Sequence, residues 1–151
     1  MKKKYTLLIG LIIIFNSSFG QKKSIEILGI WQAEKSELTS MYFDTYQFLK
    51  DFKFIFQPNR YNGLNRVLSI EGNYEIKGDS IILTPHLTKE LVGGYPVRSM
   101  ITTLSDSWEI EGGKIKRIQY KKKTGQTATI KLCEIENCIL IDERQFFRII
   151  K

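Results

Sequence analysis

Cys133 and Cys138 stand five apart in Cys133-Glu134-Ile135-Glu136-Asn137-Cys138. A four-residue loop between two strands would set them opposite each other across a hairpin, within reach of a disulfide. The Cys-x-x-Cys spacing of redox pairs is absent, and further ligands for zinc are missing. His86, in Thr84-Pro85-His86, is the single histidine, so no second imidazole can join it; a solvent-exposed loop residue is the expectation. Glu109/Glu111 and Glu134/Glu136 are spaced i, i+2, which puts each pair on one face of a strand. Glycosidase chemistry needs two carboxylates at a set separation across a cleft; solvated outer faces are expected instead. No Gly-x-Ser-x-Gly elbow, phosphate-cradling glycine loop or His-Glu-x-x-His occurs. Neither catalysis nor a cofactor or metal is expected.

The other conspicuous group is cationic. Lys114, Lys116, Arg117, Lys121, Lys122 and Lys123 place six cations in ten residues, interleaved with Ile115, Ile118 and Tyr120. Lysines on an exposed strand guard against edge pairing, and the same residues 114–123 could meet anionic headgroups or envelope glycans. Over the whole chain 23 Lys and Arg face 16 Asp and Glu, a net +7. The first twenty residues hold three of those lysines and no acid, which leaves 20 cations against 16 acids, +4, on the other 131 residues. That balance is too modest to argue for nucleic acid.

The 151 residues suffice for one domain, and 42% hydrophobic with 12% aromatic content supports a real core. Lys2-Lys3-Lys4, the apolar stretch from Leu7 to Phe15 and the polar Asn16-Ser17-Ser18-Phe19-Gly20 form the three-part pattern of a secretory signal peptide. The apolar run is short of the ~20 residues of a membrane span. Residues 1–20 are therefore read as a leader cut after Gly20, and 21–151 as one periplasmic or secreted domain. An oxidising periplasm would permit the disulfide.

From Ile27 onward, short apolar alternations are punctuated by Gly, Asn and Asp about every ten residues, the pattern of an all-β sandwich or barrel. Tyr46, Phe48, Phe52, Phe54 and Phe56 share even positions, which places them on one sheet face. From Leu38 to Thr45 a short helix or loop competes with that strand. Gly78-Asp79 reads as a hairpin turn between Tyr74-x-Ile76 and Ile81-x-Leu83. A second hairpin reads from Trp108–Ile110 through Gly112-Gly113 to Lys114-Ile115, with a further strand at residues 127–132. The stretch from His86 to Pro96 looks like the longest irregular loop.

Leu28-Gly29-Ile30-Trp31, followed by Phe54-x-Phe56, Tyr61 and Gly72-x-Tyr74-x-Ile76-x-Gly78-Asp79-x-Ile81-x-Leu83, resembles the lipocalin-like families of small bacterial β-barrels. The resemblance covers about the first two-thirds of residues 21–151. It implies a single antiparallel meander β-barrel of about eight strands, with Gly29 and Trp31 at the head of the first strand and Trp31 closing one end. It also implies a basic residue from the last strand against that Trp; Arg144 and Arg148 both qualify, and Arg148 over Trp31 is the pairing taken here.

Eight strands leave an interior that side chains can fill or that can hold one small ligand. Trp31, Phe54, Phe56, Tyr74, Trp108 and Tyr120 are the candidate lining of an apolar pocket, or equally of a filled core. The expectation is an exported monomer that binds a small, mainly apolar molecule without transforming it. The rival is a filled barrel that contacts an envelope partner through loops or the basic strand.

Overall fold

The structure is a computed structural model that describes residues 26–35, 43–60, 63–99, 108–121 and 125–149. Its strands, in chain order, are β1 (Gly29–Gln32), β2 (Thr45–Leu49), β3 (Lys53–Gln57), β4 (Val67–Lys77), β5 (Ser80–Val92), β6 (Tyr95–Arg98), β7 (Trp108–Glu111), β8 (Lys114–Gln119), β9 (Gln126–Leu132), β10 (Cys138–Ile141) and β11 (Arg144–Arg148). A 3-10 turn at Lys50–Phe52 joins β2 to β3. The leader at 1–20, residues 38–42 of the helix-or-loop alternative at 38–45, Tyr61, Lys122 and Lys123 lie outside the described residues.

Strands β1 to β5 pair antiparallel in chain order. β5 then pairs β9, β9 pairs β10, β10 pairs β11, and β11 returns to β1 with Arg148 opposite Trp31. The result is the expected closed antiparallel barrel of eight strands, an arrangement that removes sheet edges from the wall.

Three expectations about the strands are corrected. The aromatic run 46–56 is two strands, because Asp51 and Phe52 turn the chain at φ 61 and 55. The antiparallel register sets Tyr46 opposite Phe56 and Phe48 opposite Phe54, so these four still share the inner face. Phe52 falls in the turn and is 67% exposed.

The supposed loop from His86 to Pro96 is mostly strand. β5 continues to Val92 because β4 pairs with it as far as Glu90 and β8 pairs with it from Leu87 to Val92, with a register shift at Glu71/Gly72 that accommodates half-buried His86. A long partner strand supplies hydrogen bonds that no local signal announces.

Lastly, β7 does not fold back on β8. It pairs with β6, while β8 pairs with β5 from Leu87–Gln119 to Val92–Lys114. Gly93-Gly94 and Gly112-Gly113 are the joints at which one long hairpin passes from the barrel sheet into the separate β6–β7 sheet.

β8 and β9 run in line along one side of β5, and their ladder breaks opposite Thr84, Pro85 and His86. Pro85 has no N–H to give to a ladder. The Tyr120 N–H donates instead to the His86 carbonyl, 3.0 Å away.

The inward side chains form one core. Trp31, Phe48, Phe54, Ile81, Ile130, Ile139 and Phe146 are at most 3% exposed. Tyr46 stacks on Phe48 (5.6 Å between ring centroids), tilts against Phe56 (4.7 Å) and meets Phe146 edge-on (5.2 Å). Tyr74 is edge-on to Phe48 at 5.1 Å. Rings at these separations attract beyond the area they bury.

Candidate functional site

At the end where β1 begins and β11 finishes, the Arg148 guanidinium lies 5.4 Å from the centroid of the Trp31 ring. It also donates to the Leu28 carbonyl at 2.5 Å and approaches a Glu26 carboxylate oxygen at 3.8 Å. Gly29 explains the spacing of the motif. Its φ is +127°, and a Cβ there would sit 3.2 Å from Arg148 Nε, so a side chain would both strain the backbone and push the guanidinium aside. Trp31 donates its indole N–H to the Ile27 carbonyl at 2.6 Å. Between Arg148 and Arg144, it is therefore Arg148 that covers the indole.

Beside this plug lies a cleft of about 460 Å³, bordered by Trp31, Arg148, Leu132 and the loop from Cys133 to Cys138. The two cysteines are bonded, with Cα atoms 5.3 Å apart. Glu134 and Glu136 lie in that loop and not on a strand, and both are exposed. No group of three or more His, Cys, Asp or Glu is arranged to hold a metal among the described residues.

The opposite end carries a network that sequence reasoning missed. Asp44, 8% exposed, accepts from the Asn59 backbone N–H (2.7 Å) and side-chain amide (2.9 Å) and pairs with Arg144. Arg144 also lies over the Phe146 ring at 5.5 Å. Burial alone would raise the Asp44 pKa; the Asn59 hydrogen bonds and Arg144 outweigh it and hold the carboxyl below its ordinary value. Burial raises Tyr46, with further upward pressure from Asp142 and Asp44. A carboxyl with a lowered folded pKa stabilises above its unfolded value near pH 4 and loses that contribution as pH falls through the folded pKa. Asp44→Asn is expected to cost about 2 kcal/mol at pH 7 and to flatten the fall in stability below pH 4. Urea unfolding from pH 2 to 7 checks this; an unchanged acid slope would remove Asp44 from the role.

The six aromatic candidates separate. Trp31, Phe54 and Tyr74 are buried together in the barrel, and Phe56 is half-buried beside them. Trp108 and Tyr120 do not line the interior, being 43% and 44% exposed. Trp108 belongs to the β6–β7 hairpin, outside the wall, with the Arg98 guanidinium 5.9 Å from its ring. Tyr120 follows the ladder break and bonds its hydroxyl to that of Thr88 at 2.9 Å. Alternation along a strand assigns a face only where the strand is part of the wall.

The basic stretch is the most exposed element. All of β8 except half-buried Ile118 is open to solvent, and Ile115 is 66% exposed. Lys114, Lys116 and Arg117 form no ion pair among the described residues. Lys89, opposite Arg117, pairs instead with Glu71 at 2.5 Å.

Fold and site together define a small, closed, meander β-barrel with a packed interior and an appended basic strand and hairpin. Comparison with protein-family models, curated proteins and solved structures finds no match to this chain.

Proposed function

We propose that this protein is a non-catalytic, lipocalin-like binding module, exported to the periplasm or beyond. In this reading the filled barrel is a scaffold, and recognition of an anionic partner falls to the basic strand β8. One observation carries it: among the described residues, β8 presents three cations without acid partners, on a strand open to solvent on both faces, while the inner aromatics are spent on one another. The leader pattern of residues 1–20 supports export.

Poly-L-glutamate is the simplest probe. The protein should bind it with an affinity that falls as salt rises, and K114E/K116E/R117E together should lose at least tenfold. Retained affinity in that variant would exclude β8 as the binding element.

A small apolar ligand remains a second reading, favoured by one feature. Tyr46, Phe56 and Ile70 face inward but are only half-buried, where Phe48 and Phe54 beyond them are closed. A fluorescent fatty-acid analogue that brightens with wild type and not with Phe56→Arg would support it.

A further inference from the structure

Among the described residues, β8 pairs with β5 on one side and with nothing on the other, and it ends the strand order of its sheet. The barrel closes through β9, so β8 lies beyond the point where the wall is sealed. A strand at such an edge directs every second N–H and C=O away from its neighbour, a template for another chain.

We infer that this edge takes an extended acidic segment of a partner protein as an added strand. The inference rests on the proposed role of β8 as the recognition element and names the partner's chemistry. Lys114 and Lys116 alternate with Ile115 and Arg117, so the first two share one face and the others share the opposite face. A strand laid beside β8 would meet Lys114 and Lys116 above and Ile115 and Arg117 below. Carboxylates opposite the three cations and an aliphatic residue opposite Ile115 would make favourable cross-strand pairs on both faces.

Edge lysines ordinarily repel other strands. A strand of like charge is rejected here too, as is an apolar one that would desolvate three cations without return. An acidic strand is the one class for which the same charges attract, so the guard also selects. Ile115, 66% exposed between the cations, does nothing for a charge barrier but gives an incoming strand apolar area to cover. Main-chain bonds supply affinity and alternate side chains supply specificity in recognition of this type.

The test uses the whole protein and the peptide Thr-Val-Glu-Glu-Val-Glu, extended by one residue at each end. A control carries N-methyl groups at alternate residues, with identical charge and side chains. Calorimetry and amide hydrogen exchange are read together. The unmodified peptide is expected to bind and to slow exchange in residues 114–119; N-methylation should weaken it at least tenfold, and so should K116E/R117E. Equal binding of the two peptides would overturn strand addition while leaving charge recognition by β8 in place. No binding of either peptide, with poly-L-glutamate still bound, would overturn the inference alone. Loss of poly-L-glutamate binding as well would overturn the parent reading. Tighter, β8-dependent binding to vesicles containing phosphatidylglycerol would replace the acidic segment with a lipid surface.

Discussion

Trp31→Ala is expected to lower the stability of the protein by about 3–5 kcal/mol, a large share of the total for a small domain. The indole is 3% exposed, its N–H is bound to the Ile27 carbonyl, and it belongs to the same buried cluster as Phe48, Tyr74 and Ile139. Truncation would remove packing and leave a void where the wall closes between β1 and β11. Arg148→Ala should cost far less, about 1 kcal/mol, because the guanidinium covers the ring from the solvent side and cation–π contacts at exposed sites are weak. Urea unfolding of both variants separates the two contributions. A Trp31→Ala protein as stable as wild type would show that the indole does not hold the barrel shut. Equal losses would make the cation the principal fastener.

The second large effect is expected at Gly72. It sits on the inner face of β4, opposite Phe54 on one side and Pro85 on the other. A Cβ there would lie 2.3 Å from the Thr84 carbonyl oxygen, 2.6 Å from a Phe54 ring carbon and 2.9 Å from the Pro85 Cα. Two of those three neighbours are backbone and cannot swing away. Gly72→Val should therefore cost about 3 kcal/mol or more, at the upper end of overpacking effects. Moderate loss in Gly72→Ala, with the fold retained by circular dichroism, would place the effect in the wall and not in a folding failure. A Gly72→Val protein of wild-type stability would mean that β4 and β5 are farther apart than the register requires.

Gly72 also shows where sequence reading succeeds and where it stops. The Gly-x-Tyr-x-Ile pattern, the Gly78-Asp79 turn and the alternation on both sides of it all act through neighbours in the chain. The β4–β5 hairpin was legible for that reason, and Gly78-Asp79 turns the chain with Lys77 opposite Ser80. The placement of Trp31 and the Cys133–Cys138 loop was legible too, because a motif and a spacing carried them. The turn at Lys50–Phe52 was not: it contains no glycine or asparagine, and Phe52 takes a positive φ that bulky residues ordinarily avoid.

Non-local pairings were the other blind spot. Whether β7 meets β6 or β8 depends on whether Gly112-Gly113 turns the chain back on itself or passes it on into the next sheet, and periodicity is the same in both cases. Asp44 and Arg144 are a hundred residues apart and fall in no motif. Trp108 and Tyr120 fall outside the barrel because β7 pairs with β6 and because Tyr120 follows the end of β8, at the ladder break.

The separation of scaffold from recognition surface has a direct readout in the amide NMR spectrum. Poly-L-glutamate and, separately, a fatty-acid analogue are titrated into the protein, and shift changes are mapped along the chain. The expected result is that poly-L-glutamate moves residues 114–119 and their partners at 87–92, and that neither probe moves Phe48, Phe54, Tyr74 or Ile130. Shifts at those interior residues with the fatty-acid analogue, and none at β8 with poly-L-glutamate, would contradict the filled-scaffold reading and return function to the barrel's interior.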